Sequence, residues 1–303
     1  MPEGGARSGL SRFRANRLAV GGLALVAALA LASLAGPPIL WAVTPTHTTY
    51  QTQFPGEELS PPSAAHPLGT DRLGFDVLAR LLWGGMSSLL IALAATAIAL
   101  VIALAVGLTA GYAGGWIDAA LMRLTDTFFA FPSILLAMVL VAAVDRPSEG
   151  GWLPAAGKSM ILLFVALGAT GWTGLARLIR AQVLTVRGAE YVNAARALGL
   201  SPARIALRHV LPNCLGPVAV AATLAVGSNL LGEAGLSFLG LGVVPPFPSW
   251  GSMLNDSRAF FAECPWLMAF PGLAITLAVL GFNLAGDGLR DALDPRTASG
   301  GAR

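Results

Sequence analysis

Few residues in this chain have the type and spacing to do chemistry. The run Gly151-Trp152-Leu153-Pro154-Ala155-Ala156-Gly157-Lys158-Ser159 echoes a phosphate-binding loop, in which glycine N–H groups cradle phosphates and a lysine reaches them. Five residues separate its glycines where four are required, and Pro154 removes a backbone donor. No strand precedes it, so Lys158 reads as an interfacial anchor. His47, His66 and His209 are dispersed and give no metal-site spacing. Cys214 and Cys264 border different hydrophobic runs and are expected on opposite faces of a membrane, too far apart for a disulfide. Glu233 is the one acid well inside a hydrophobic run. A charge at mid-bilayer costs about 2.5–3.5 kcal/mol on insertion scales, so this side chain must face protein or water. Either it lines or gates a path through the membrane, or it is hydrogen-bonded near the outer interface and only holds a turn. No paired carboxylates and no Ser, Cys or Lys with a basic partner fall within the runs. The chain carries no recognisable catalytic set and is expected not to be an enzyme.

The elements that must position these residues are membrane helices. The 303-residue sequence is 55% hydrophobic and 12% charged, about half the charge of a typical soluble domain. Apolar runs long enough to span a bilayer fall at 18–36, 86–110, 124–144, 158–176, 214–236 and 265–286. Six spans place both termini on one side. With the N-terminus inside, 14 of the 19 basic residues fall in cytoplasmic segments, and the inverted topology puts the most arginine-rich loop outside. The net charge of +3 therefore reflects topology, and no nucleic-acid partner is expected.

Several segments admit two readings. The first run, ending ALASLAG, is read as a retained span, although a cleaved signal peptide has similar features. Residues 74–83 carry Phe75, Val77, Leu78, Leu81 and Leu82 on one stripe, which fits an amphipathic surface helix or a plain extension of the second span. Gly111, Gly114 and Gly115 should end the second span, and Asp118 to Asp126 should form a short inner turn. Pro132 should kink the third span. The proline- and glycine-rich stretch between the fifth and sixth spans reads as an outer loop. Asn229 and Asn283 read as polar contacts between helices.

The most informative stretch is EYVNAARALGLSPARIALRHVLPN, Glu190 to Asn213. It is polar and arginine-rich, and it sits between two long hydrophobic runs. Helix formers lead up to Gly199, which stops the first short helix. Ser201 is a natural N-cap and Pro202 suits the first position of a second helix. That helix runs to Leu211-Pro212 at the mouth of the fifth span. Ile205, with Leu200 and Leu207, is expected to be exposed and to want a partner's groove. Such a hinged pair is suited to receive force from a soluble partner.

On these residues the chain resembles the permease subunits of bacterial binding-protein-dependent ABC importers, whose signature is E-A-A, three residues, G, nine residues, I-x-L-P. Ala194, Ala195, Gly199, Leu211 and Pro212 fall on that frame, while Asn193 and His209 depart from it. Glu190, Arg208, His209 and Asn213 match the peptide and nickel branch, as do HPLGTDRLGFDVLARLLWG (66–84), GEAGLSFLGLGVVPPFPSWGSML (232–254) and GDGLRDALDPR (286–296).

The resemblance implies an all-α, six-span bacterial inner-membrane protein with a cytoplasmic coupling-helix loop at 187–213. Residues 1–65 would form an N-terminal segment, first span and outer loop, and residues 66–303 the permease core. The implied partners are two ATPase subunits or domains, a homologous and different permease, an extracytoplasmic substrate-binding protein and membrane lipid. No cofactor is implied for this chain, because ATP is bound by the partners. Gly199 is expected at a turn where a side chain would clash or straighten the hinge, so Gly199→Asp should spare insertion and abolish transport. The implied function is import of short peptides or a related solute such as nickel. A proton-coupled carrier or a channel is the rival from another class.

Overall fold

The structure is a computed structural model that describes residues 11–144 and 155–293. The main helices among the described residues are α1 (Arg17–Val43), α2 (Val77–Ala113), α3 (Gly115–Phe129), α4 (Ser133–Val144), α5 (Ala155–Val186), α6 (Glu190–Ala197), α7 (Pro202–Phe238), α8 (Trp250–Ser257) and α9 (Trp266–Leu293). Among the described residues β structure is confined to two isolated bridges, Gln53–Phe75 and Thr70–Asp76. Five helices (α1, α2, α5, α7 and α9) are long and apolar enough to cross a membrane, and the bent pair α3–α4 passes the same test taken together, which gives six when the pair is counted as one span.

Local sequence explains the helix starts. Asn16 accepts from the N–H groups of Leu18 and Ala19 at the head of α1. Asp76 caps α2 by accepting from Ala79 N at 2.8 Å. Because α2 begins at Val77, the stripe at 74–83 is the first part of the second span and not a separate surface helix. At 37 residues α2 is ~55 Å long, well beyond the ~30 Å hydrocarbon core.

The core of the bundle is the α2–α5 pair, which small residues allow to close. A Cβ on Gly107 would lie 2.6 Å from Ala176 O, and one on Gly168 would lie 2.7 Å from Ile98 Cβ. Without a hydrophobic drive between helices in lipid, such close packing supplies the association. The same device joins the first and last spans, where a Cβ on Gly22 would meet Leu284 Cβ at 2.6 Å.

Two expectations about the second and third spans are corrected. Gly111 does not end α2; it lies inside it, packed on Val183, and Gly114 at φ +68° makes the turn. Asp118 to Asp126 form no inner turn. They belong to α3, and the kink expected at Pro132 is a break of 82° between α3 and α4. The cause is local. Pro132 has no N–H to donate, and it disfavours helical geometry at Phe131. Charge clamps then hold α3 against α5. Arg180 grips Asp118 through two bonds of 2.5 and 2.6 Å, and Arg177 reaches Asp126 at 2.7 Å while covering the Phe129 ring.

Outside the membrane helices, residues 44–76 form a knot over the head of α2. His66 bonds Asp76 at 2.8 Å and Glu57 at 3.0 Å, and Arg80 pairs with Asp71 and with Asp256 of α8. Phe54 N donates to Gly74 O, and Thr70 N to Ser60 O. The division expected at 65/66 therefore passes through one hydrogen-bonded unit. Residues 151–154 of the phosphate-loop echo lie outside the described residues, as do Arg7 and the end of the 286–296 motif.

Candidate functional site

The loop 187–213 folds into a knob whose inner face is pinned and whose outer face is free. In α6, Val192 and Ala195 are three residues apart, on one face, and both are buried. They meet Ile179 and Val183 of α5 and Val210 and Cys214 of α7 in one apolar cluster. The chain then turns at Gly199, with φ +77°. Gly199 N donates to Arg196 O at 3.0 Å and Leu200 N to Ala195 O at 3.3 Å, which closes the helix end as a C-terminal cap.

The second helix of the knob is not separate. Pro202–Ile205 is α-helical, Ala206–Val210 is a π turn, and Leu211–Phe238 continues as α-helix, so the knob and the fifth span are one element of 37 residues. Pro212 and Pro217 lack N–H groups, so one missing backbone donor falls beside the π turn and the other in the next turns. Asn213 Nδ2 donates to His209 O at 2.8 Å across this junction.

The knob divides the residues expected to touch a partner. Glu190, Asn193, Ala194, Gly199, Ser201, Pro202, Arg208 and Pro212 are exposed, and His209 and Leu211 are half-buried. Ala195 and Ile205 are buried. Ile205 at 1% exposure corrects the expectation that it seeks a partner's groove: it packs into the chain's own cluster. The apolar residues left in the open are Tyr191, Leu198 and Leu207, with Leu198 80% exposed. Ser201 caps by backbone position alone, since its side chain makes no capping bond. A Cβ on Gly199 would meet nothing of this chain within 4 Å, so the glycine is required by its positive φ and not by a clash inside the subunit.

Farther along α7, one face borders a cavity of about 620 Å³ shared with α5 and the α3–α4 break. Thr170 and Thr173 of α5, Ser228 and Asn229 of α7, and Phe131 and Pro132 of the break contribute to its wall. Asn229 Nδ2 donates to Thr96 Oγ1 at 2.9 Å, the helix–helix contact expected of it.

Glu233 is fully buried and lies outside this wall. Its carboxylate accepts from Ser237 Oγ at 2.7 Å and from Ser88 Oγ of α2 at 3.0 Å. Ser88 Oγ in turn accepts from Trp250 N of α8 at 3.1 Å, and Trp250 Nε1 donates to Leu81 O at 2.9 Å. The acid thus ties α7, α2 and α8 together. Of the alternatives expected for Glu233, the structure shows a side chain that faces α2, paired with a neighbouring span, and outside the wall of this cavity.

The chain matches the family described as binding-protein-dependent transport system inner membrane component over residues 103–299. Residues 7–62 match the N-terminal TM domain of oligopeptide transport permease C. It is 40% identical to the dipeptide transport system permease protein DppC of Alkalihalophilus pseudofirmus, over 97% of this chain and 90% of that one. It is 36% identical to the oligopeptide transport system permease protein OppC of Bacillus subtilis, over 96% and 89%. With the glutathione transport system permease protein GsiD of Escherichia coli it shares 42% identity over 78% of this chain and 74% of that one.

The chain belongs to this family of binding-protein-dependent permeases.

What sequence reasoning missed in the permease is the cavity wall and the exposed trio of the knob. Thr170 and Thr173, three apart on a hydrophobic run, were a signal for a polar stripe on α5. Ser228 beside Asn229 was the matching signal on α7. Leu198 gave no signal as a surface residue, because nothing local tells a C-terminal leucine facing out from one packing inward.

Proposed function

We propose that the chain is one of two transmembrane subunits of an ATP-driven importer of short peptides in a bacterial inner membrane. The observation that carries the reading is continuity. The knob that offers Leu198, Leu207 and Arg208 to the outside and the wall that carries Ser228 and Asn229 belong to, or pivot on, the single helix α7. From Pro202 to Ser228 that helix is ~39 Å long. A displacement of the knob moves the cavity wall without crossing a loop.

In this reading two ATPase subunits or domains grip the knob, bind ATP themselves and need no nucleotide site on this chain. A homologous but different permease covers the open side of the cavity, and an extracytoplasmic binding protein delivers the solute. Peptides are favoured as solute because the relatives are named for dipeptide, oligopeptide and glutathione transport. The arginine distribution favours both termini in the cytoplasm. The tight fit of α1 on α9 through Gly22 favours retention of the first span, since its removal would open that seam. A proton-coupled carrier would have to rely on Glu233, which lies away from the cavity.

The test is purification of tagged chain from its native membrane in mild detergent, beside Leu198→Asp and Gly199→Asp. Wild type should bring down ATPase subunits and a second permease, and Leu198→Asp should lose the ATPases while keeping the permease. Wild-type chain that purifies with no ATPase at any stoichiometry would end the reading.

A further inference from the structure

Three features of the cavity point to what it holds, given the importer reading above. The first is the break between α3 and α4, which places Phe131 and Pro132 on the wall, with Phe131 58% exposed. Irregular backbone at membrane depth is tolerated only inside protein or along water, and discontinuous helices are where transporters build solute sites. The second is polarity without charge. Thr173 is 7% exposed, and its hydroxyl makes no hydrogen bond to the chain among the described residues. Ser228 is exposed to the space and donates to Leu224 O only at 3.4 Å, and Asn229 keeps its Oδ1 and a second Nδ2 hydrogen beyond the bond to Thr96. No charged side chain is among the described residues of the wall. The third is size, since about 620 Å³ falls within the range of about 300–1,000 Å³ for small-molecule sites.

We propose that this cavity is the chain's wall of the hydrated solute path, and that it engages the amide and carbonyl groups of a short peptide's main chain while leaving side-chain charge unread. Hydroxyls and an amide can donate to carbonyls and accept from N–H groups that every peptide carries. A fixed charge on the wall would rank peptides by their side chains, because Coulomb forces are strong where water is scarce. Selection by side chain is then left to other parts of the importer. The rival occupant is a helix of the second permease, packed dry against the same wall.

Both cysteines of this chain are buried, so a new thiol is read on this chain once it is separated from its partners after labelling. The complete importer in membrane vesicles is prepared with Ser228→Cys or with Leu231→Cys, the latter being 53% exposed on the same helix but off the wall. A membrane-impermeant charged methanethiosulfonate is added. Labelling of Ser228→Cys should be at least tenfold faster than that of Leu231→Cys. Equal, slow labelling of both would mean a dry wall covered by a helix or lipid, and would overturn the proposal.

Adducts are then made with cationic and anionic reagents after assembly, so that folding is not at issue, and uptake of a lysine-containing and a glutamate-containing dipeptide is compared. The cationic adduct should lower the lysine-to-glutamate uptake ratio and the anionic adduct should raise it, with about tenfold between them. An unchanged ratio would overturn the main-chain reading. Labelling needs no peptide, so wild-type vesicles that import no peptide would refute the importer reading while the labelling still judged the hydrated wall.

Discussion

The two ends of α7 are held in opposite ways. At the inner end, apolar side chains (Ile205, Val210) are buried in the chain's own cluster, and polar and charged groups stay outside. At the outer end a carboxylate is buried, and hydroxyls from α2 and from α7 itself satisfy it. Apolar contact is non-directional and tolerates sliding, whereas hydrogen bonds to a buried acid fix distance and angle. The helix is therefore located rigidly at the outer end and held adaptably at the inner end, and the π turn Ala206–Val210 sits at that adaptable end. A lever needs this arrangement: a defined fulcrum and an end that can be pushed.

The comparison can be broken first at the fulcrum. Glu233→Ala leaves a void and unpaired hydroxyls on Ser88 and Ser237, and should cost about 4 kcal/mol of stability. Glu233→Gln keeps the volume and two hydrogen-bonding atoms, and should cost about 1 kcal/mol with uptake retained. Thermal unfolding in detergent beside an uptake assay checks both. If Glu233→Gln abolishes uptake in a well-folded protein, the acid is more than a tie.

At the inner end Ile205→Ala removes most of a fully buried side chain and should cost about 3 kcal/mol. The loss should be local, so hydrogen exchange should quicken across 190–210 while α2 and α5 stay protected. Uniform loss of protection across the bundle would show that the knob is no separate unit. Next in size is Gly199→Ala. A residue with a Cβ at φ +77° costs about 1 kcal/mol, and no neighbour in this chain opposes it. Gly199→Asn should cost less, because asparagine tolerates this region. A much larger loss of ATPase binding in either variant would place the steric demand on the partner's side of the contact.

The smallest effect concerns a residue of neither end. Burial, with Glu263 adding to it, pushes the Cys264 thiol up. Its stabilising contribution is present below the unfolded thiol's pKa, about 8.5, and is lost as pH rises through the higher folded value. Maleimide labelling of the native protein should lag that of the unfolded chain across this range, and equal rates would mean that the thiol is exposed.

Much of this was legible because it is local. Gly199 followed by Ser201-Pro202 announced the turn of the knob, and the structure has the turn, the cap position and Pro202 at the helix start. Pro132 announced a disturbance in the third span, but nothing in the sequence gave its size, because 82° depends on how Arg177 and Arg180 of α5 hold α3. Ile205 was misread because its neighbours Arg204, Leu207 and Arg208 suggest an exposed helix. The cluster that buries it comes from α5 and α6.

By itself the sequence determined which runs are apolar enough to span a membrane and where the chain turns at Gly199. Those follow from the length of apolar runs and the backbone freedom of single residues. Only the tertiary structure decided which knob residues face outward, that Glu233 answers to Ser88 across 145 residues of chain, and that Thr173, Ser228 and the broken third span share one cavity. The physical reason is rotation. A uniformly apolar helix can turn any face to any neighbour, and close packing, as at Gly107, Gly168 and Gly22, together with ties such as Glu233–Ser88, fixes which face meets which.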